Sequence, residues 1–412
     1  MTADDKRARI MRWPPVLRAG FRPFFLGGAL WALIVVALWI CALSGAVTLP
    51  TALDPLAWHR HEMLFGFLSG VIAGFLLTAI PNWTGRLPLN GTRLAALATL
   101  WFSARLAVLL SSFVGATLAA LLDVGFLLTL AFVAAREVIK AKNRNFPIVV
   151  AIGLFALADA LDHAEAAGWD VPPGLGWRLG IAIVLVLIGL IGGRIIPSFT
   201  RNWLAKRGAV KGLPVQPNRF DIAVLGLTGL ALAAWAAVPD AIVSAILLVL
   251  AGVAQAIRLG RWSGYKTAAE PLVLILHVAY AWVPVGLLLL GGSHFIWCIP
   301  VSAATHALSA GAMASMSLAV MTRATLGHTG RELRADGWTR AIYLCVTLGA
   351  LVRVVAPALP FDYQRSIEIA GTLWGGAFIL FVLAYGPKLL GPRPGPFGRS
   401  LEIGAGTGST TS

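Results

Sequence analysis

The sequence predicts an all-α, polytopic integral membrane protein with about twelve transmembrane helices. Of its 412 residues, 58% are hydrophobic and only 12% are charged, which is about half the charged fraction of an ordinary soluble domain. Apolar runs long enough to cross a bilayer recur from residue 21 to residue 390. Runs of about twenty apolar residues are typical of helical spans, which satisfy their own backbone hydrogen bonds in lipid.

The apolar runs and the polar breaks between them define the spans. A faint break near residues 111–115 predicts a tight hairpin between the third and fourth spans. The longest connection, between the sixth and seventh, has about twenty residues, so no soluble domain is expected. The predicted spans lie near residues 22–43, 60–80, 92–112, 114–134, 146–166, 178–197, 219–237, 239–257, 270–290, 295–321, 338–357 and 366–386.

Lysine and arginine are concentrated in alternate connections, which predicts that both termini are cytoplasmic. The chain is polar as far as Arg22 and its first apolar run has full length, so no cleavable signal peptide is expected. The predicted organisation is a cytoplasmic N-terminal tail (1–21), a twelve-helix membrane domain (22–390) and a cytoplasmic tail (391–412). The glycine, serine and threonine content of that last segment predicts disorder.

The net charge of +15 does not indicate nucleic-acid binding, because the basic residues lie between spans rather than on one face of a soluble domain. The three cysteines, Cys41, Cys298 and Cys345, are far apart, and no CxxC or CxxCH motif is present. This pattern argues against iron–sulfur clusters and covalent c-type haem. Any haem would therefore be held non-covalently.

The segment Trp58 to Gly85, WHRHEMLFGFLSGVIAGFLLTAIPNWTG, begins the second span with four polar side chains. Such groups at the mouth of a membrane helix are costly unless something uses them. In a helix, His59 and His61 would point about 200° apart and serve two sites, whereas in irregular backbone they could serve one. Interfacial histidines bonded to water or backbone are the alternative.

A stripe of small residues follows on the same span. Counting in helical turns from His59 leads to Gly66, Gly70 and Gly74. Small residues four apart let a neighbouring backbone approach closely. A helix that already starts at His59 would therefore place this histidine on the packed face.

Most of the seven histidines lie in or beside predicted spans. His163 follows Asp159 by four residues, so the aspartate shares its helix face and could orient the imidazole. His277 lies about two turns into the ninth span, His306 near the middle of the tenth, and His328 just after it. Several neutral imidazoles in a low-dielectric bundle favour ligation of a metal or haem. Each alone could instead be a structural residue bonded to a carbonyl or hydroxyl group.

The tenth span adds thioethers to these imidazoles. His306 and Met313 share one face, and Met321 lies further along the helix. Thioether ligation of copper or haem iron is one interpretation, and core packing is the other. Arg194 and Arg323, each at the inner end of a span, could pair with haem propionates or simply anchor the helix ends.

Several stretches together resemble the NnrS family, over nearly the whole chain from about residue 18 to residue 390. The resemblance implies a multi-pass protein of the bacterial inner membrane that carries copper and a non-covalent, b-type haem. It also implies a role in nitric oxide metabolism, denitrification and resistance to nitrosative stress. The matching stretches are RPFFLGGALWA, WHRHEMLFGF, GFLLTAIPNWTG, GRIIPSFT and HALSAGAMASMSLAVMTRATLGHTGR.

The same resemblance marks individual residues as candidates for the functional site. His163 and His277 lie in less distinctive surroundings than the others. The matching positions are His59, His61 and Glu62 in WHRHEMLFGF, and His306, Met321, Arg323, His328 and Arg331 in HALSAGAMASMSLAVMTRATLGHTGR.

Reduction of nitric oxide to N₂O (2 NO + 2 H⁺ + 2 e⁻ giving N₂O and water) is the expected activity. An iron–copper pair could hold two NO molecules close together, with electrons from an unidentified donor. On depth alone, His59, His61 and His163 are expected to form an outer-side metal cluster, and His277 and His306 to ligate haem from adjacent helices.

Glu62, Asp159 and Asp162 are candidate proton carriers near the outer surface, with ordinary interfacial solvation as the alternative for each. Two other functions remain open. One is a transporter or carrier that moves a metal, haem or metal–nitrosyl species without catalysis. The other is a membrane NO sensor with structural haem, although the lack of a cytoplasmic signalling domain counts against it.

Overall fold

A computed structural model of the chain describes residues 10–360 and 362–394. These ranges are helical, contain no strand, and include twelve helices long and apolar enough to cross a membrane. The predicted all-α fold is therefore confirmed. The helices are α1 (Phe21–Leu43), α2 (Pro55–Thr84), α3 (Gly91–Leu109), α4 (Ala116–Lys140), α5 (Phe146–Ala166), α6 (Leu175–Lys206), α7 (Arg219–Ala237), α8 (Ile242–Gly260), α9 (Pro271–Gly292), α10 (Val301–His328), α11 (Gly337–Ala358) and α12 (Tyr363–Leu390).

Short connections make consecutive helices antiparallel, so the bundle has two distinct ends. We call the end at which α1 begins the near end, and the end at which α2 begins the far end. With twelve spans, both ends of the described chain lie at the near end. Buried Arg22 joins them, donating to the carbonyl oxygens of Leu389 (2.6 Å) and Gly391 (2.8 Å). The assignment of the near end to the cytoplasm stays a prediction.

Some helix ends differ from the predicted ones. α2 begins at Pro55 because Asp54 caps it, its Oδ1 accepting from two backbone N–H groups at 3.0 Å. α6 continues past Pro197 to Lys206, so the connection to α7 is only residues 207–218 and shorter than predicted. The tight hairpin between α3 and α4 is confirmed, with Gly115 at φ +90° before α4. Of the predicted C-terminal tail, residues from 395 onward lie outside the described residues, as do residues 1–9 of the N-terminal tail.

Two helices contain π-helical turns, in which each backbone N–H bonds five residues back rather than four. One spans Glu62–Phe67 in α2, and the other spans Ala307–Met313 in α10. Each follows a candidate histidine directly. Such turns are rare, appear mostly inside α-helices, and shift the faces on either side of them relative to one another.

The glycine stripe of α2 allows the predicted close approach. A Cβ at Gly70 would lie 3.1 Å from the Trp101 ring, and one at Gly74 would lie 2.7 Å from the Phe25 ring. The expectation that His59 shares this face is wrong, because the π-helical turn shifts the register between His59 and Gly66. His59 instead faces a cavity, as described below.

A buried polar network ties α6, α7, α8 and α9 together toward the near end. Arg258 donates to Asp221 (2.9 Å), to the Tyr280 hydroxyl (2.9 Å) and to the Gly189 carbonyl (3.1 Å). The Tyr280 hydroxyl in turn donates to Gln255 (2.8 Å). Because its members satisfy one another, this network is explained by structure alone.

Candidate functional site

The far end of the bundle holds two polar regions on opposite sides of α2. Because α2 is already helical at Pro55, His59 and His61 project in different directions. His59 lines a cavity toward α10, whereas His61 contacts carboxylates of α4 and α5. Of the two arrangements that the His-x-His spacing left open, the structure therefore has the one with two sites.

The first region, which we call the histidine cavity, has a volume of about 370 Å³ and mostly apolar walls. Helices α1, α2, α6, α10, α11 and α12 contribute to it. This size lies within the usual range for small-molecule and cofactor sites. Its polar or chemically distinctive lining residues are His59, Arg60, Ser302, Thr305, His306, Ser309, Met313 and Arg353.

His306 has a defined tautomer. Its Nδ1 lies 2.6 Å from the Ser302 carbonyl oxygen, which can only accept, so Nδ1 carries the proton. The Nε2 atom then keeps its lone pair. This is the usual arrangement of a metal-ligating histidine, whose other ring nitrogen donates to a carbonyl or carboxylate group.

His59 faces the same cavity from α2. Its ring stacks on Trp39, with centroids 4.8 Å apart and planes at 18°, which fixes its orientation. Its Nδ1 is buried and has no hydrogen-bond partner among the described residues. A buried, unpaired ring nitrogen is costly unless a ligand or water completes it.

These features fit a haem. Two imidazoles from different helices face one apolar cavity, and a buried Arg353 nitrogen has no hydrogen-bond partner in the described ranges. An arginine of this kind suits a propionate, because guanidinium groups bind carboxylates in two-point geometry. The arginines predicted for that task lie elsewhere: Arg194 donates to Asn145 (3.2 Å), and Arg323 lies over the Phe199 ring at 4.1 Å.

A smaller apolar cavity of about 100 Å³ lies alongside the first and shares Leu68 and Met313 with it. Its walls come from α2, α5, α6 and α10 and are almost entirely aliphatic, with Met316 and Ser317 contributed by α10. The predicted face of His306 and Met313 therefore lines the histidine cavity, and Met313 also borders the smaller one.

The second polar region, which we call the charged cluster, lies between α2, α4 and α5. Asp123 is its centre: its Oδ2 is 2.8 Å from His61 Nε2 and 3.3 Å from His163 Nε2. His61 Nδ1 lies 2.9 Å from Asp162. Asp159 lies 3.8 Å from both imidazoles, so it shares a helix face with His163 as predicted, but it does not hydrogen-bond to this histidine.

Glu62 belongs to the charged cluster and not to the histidine cavity. Its Oε2 accepts from Trp31 Nε1 (2.6 Å) and from Arg105 (2.8 Å), and Arg105 also pairs with Asp123. All three charged side chains are fully buried. Its predicted role in proton transfer stays a prediction.

The structure divides the predicted histidines differently from the expected partition. His61 and His163 lie together in the charged cluster, whereas His59 faces the same cavity as His306. His277 and His306 are not brought together, because α9 and α10 are antiparallel and each histidine lies near the start of its helix. His277 bonds the Thr200 hydroxyl (2.8 Å) toward the near end.

Two other predicted residues lie far from both regions. His328 ends α10 at the near end, where its ring contacts Phe21 at 5.6 Å. Met321 is fully buried in the core and lines neither cavity. No ligand role in either region follows from these positions.

Sequence reasoning missed two central residues, Arg105 and Asp123. Each is a lone charge within an otherwise apolar run, and such charges are rare unless they are paired or used. That signal was available in the sequence. The contributions of Trp39 and Arg353 to the histidine cavity carry no local signal in the sequence, because these residues come from helices remote in the chain.

Comparison with known protein families matches residues 15–393 to the family described as NnrS protein. The match covers nearly the whole chain, including both polar regions. A search of curated proteins finds no match to this chain.

Proposed function

The chain belongs to the NnrS family, and from that premise we propose that it is a haem protein of nitric oxide metabolism that reduces NO to N₂O. The observation that carries the proposal is the pair His59 and His306 facing one apolar cavity. In this proposal His306 would hold a haem and His59 would face it from α2, and the haem would supply an iron for NO binding and electron transfer.

The residues of the chain fix the geometry of such a site. The Ser302 carbonyl orients the His306 imidazole, and the stacked Trp39 ring holds His59. Arg353 lies at the border of the cavity with a buried nitrogen available for an anionic group. The mostly apolar walls lower the local dielectric constant, which strengthens electrostatic interactions within the cavity.

The neighbouring apolar cavity supports a small, uncharged substrate. Nitric oxide is such a molecule and dissolves in lipid. The smaller cavity shares Leu68 and Met313 with the histidine cavity, and its aliphatic walls favour an uncharged molecule over charged or strongly hydrated species. Reduction further requires protons and an electron donor outside this chain.

The test uses the full chain purified in detergent from cells supplied with haem. Haem content, the spectral change on adding NO, and NO consumption with a chemical reductant are measured for the wild type, His59→Ala and His306→Ala. His277→Ala is the matched control, because this histidine is also buried and hydrogen-bonded but lies toward the near end.

The proposal expects a haem-bearing wild type that consumes NO and forms N₂O, with haem lost or altered in both cavity variants but not in the control. Haem binding without NO turnover would contradict the reductase and favour a carrier or sensor. A protein without haem under these conditions would overturn the whole proposal.

A further inference from the structure

We propose that the charged cluster is a binding site for one divalent first-row transition-metal ion, ligated by His61, Asp123, Asp159 and His163. The proposal does not depend on haem or on nitric oxide. It also changes the metal site expected from the sequence, because His59 is absent from it and two carboxylates are present.

The spacing of the four side chains matches a metal site. One donor atom from each lies within 4.8 Å of all the others. The nitrogen–oxygen distances run from 2.8 Å to 3.8 Å. A tetrahedral ion with bonds of about 2.0–2.1 Å separates its ligand atoms by roughly 3.3–3.4 Å, so small side-chain movements would complete the geometry.

Asp159 is the independent sign of a missing ligand. It is fully buried, and neither of its carboxylate oxygens has a hydrogen-bond partner within the described part of the chain. An uncompensated buried carboxylate is strongly destabilising. A cation between Asp159 and the two imidazoles would remove that cost.

The surrounding residues hold the ligands as supporting groups do in metal sites. Asp162 accepts from His61 Nδ1, which turns Nε2 toward the cluster. Arg105 binds Asp123 through Oδ1 and leaves Oδ2 facing the two imidazoles. Carboxylates behind histidine ligands orient the ring and raise its basicity.

The charge balance and donor types indicate the class of ion. Four carboxylates and two guanidinium groups give a net charge of −2 when the imidazoles are neutral, which a divalent cation balances. Mixed nitrogen and oxygen donors suit ions such as Zn²⁺, Fe²⁺ or Co²⁺ better than soft Cu⁺, which prefers sulfur. The charged groups are Glu62, Asp123, Asp159 and Asp162 against Arg60 and Arg105.

The experiment titrates Co²⁺ into chelator-treated, full-length protein in detergent, with Zn²⁺ as competitor. Co²⁺ is chosen because its visible absorption reports ligand type and geometry. The titration is repeated in His306→Ala, so that haem iron does not enter the metal count. The variants are Asp159→Asn and His163→Ala, with Glu165→Gln as a carboxylate control on the same helix.

We expect one Co²⁺ per chain, displaced by Zn²⁺, and a higher unfolding temperature with metal bound. Asp159→Asn and His163→Ala should weaken binding by about 10–100-fold or more, and Glu165→Gln should not. Asp159→Asn also tests folding: with chelator present it should be at least as stable as the wild type, because it removes a buried charge.

Failure of the wild type to bind either ion stoichiometrically would overturn the proposal and indicate that protons balance the cluster. Equal Co²⁺ affinity in Asp159→Asn and the wild type would also overturn it. A preference for Cu⁺ over the divalent ions would show that the donor assignment is wrong.

Discussion

Replacing Arg105 by glutamine should destabilise the protein more than any surface change of the same kind. Arg105 is fully buried and binds both Glu62 (2.8 Å) and Asp123. Its loss leaves two buried carboxylates without their shared cation. Breaking a buried ion pair from one side costs about 3–5 kcal/mol, and we expect Arg105→Gln to lower the free energy of unfolding by that amount in detergent micelles.

Arg86→Gln is the matched control, because Arg86 also pairs with a carboxylate, that of Glu137, but its side chain is 45% exposed. Exposed pairs contribute about 0–1 kcal/mol. The double change Arg105→Gln with Glu62→Gln removes one charge of each sign and should recover part of the loss. Equal effects of Arg105→Gln and Arg86→Gln would refute the reasoning, as would a double variant less stable than Arg105→Gln alone.

Three further predictions concern other parts of the fold, and each is checked by measuring the free energy of unfolding in detergent micelles. Gly66→Ala places a Cβ against buried charged side chains and should lower the free energy of unfolding by about 1–3 kcal/mol. In the control Gly153→Ala the added Cβ meets open space, and this change should stabilise the protein by up to about 1 kcal/mol. Equal effects of the two changes would contradict the close packing around Gly66. Tyr280→Phe leaves a buried arginine and a buried glutamine without their shared hydroxyl and should cost about 1–3 kcal/mol without changing haem content. Partial burial raises the pKa of Asp336, but hydrogen bonds from Thr339 outweigh it and hold that pKa below its ordinary value. Asp336→Ala should therefore lower the free energy of unfolding by about 1 kcal/mol at pH 7. This stability difference from the wild type should shrink as the pH falls below about 4, where the carboxylate becomes protonated. A difference that stays constant with pH would contradict the prediction.

The fold could be predicted closely because lipid leaves few alternatives. An apolar run of sufficient length has to form a helix, so all twelve spans were found and several ends agreed within two residues. The ends that differed depend on local chemistry rather than hydropathy. Asp54 extends α2 backward by capping it, and α6 tolerates Pro197 and continues into the next connection.

The candidate site was predicted in its residue types but not in its grouping. Helical geometry alone separates His59 from His61 once the helix starts before them. The π-helical turn after His61 moves His59 off the glycine face, and hydropathy does not reveal such a turn. Asp123 could have been found as a lone intramembrane charge, whereas the pairing of His59 with His306 depends on how distant helices pack.

The most direct test of the proposed function is the ratio of haem to protein in purified His306→Ala compared with His277→Ala. The account predicts that His306→Ala loses haem or shows an altered Soret band, because His306 lines the histidine cavity and its Nε2 is free to bind a metal. It predicts that His277→Ala keeps the wild-type ratio. Haem retained unchanged in His306→Ala and lost in His277→Ala would contradict the assignment of the cavity.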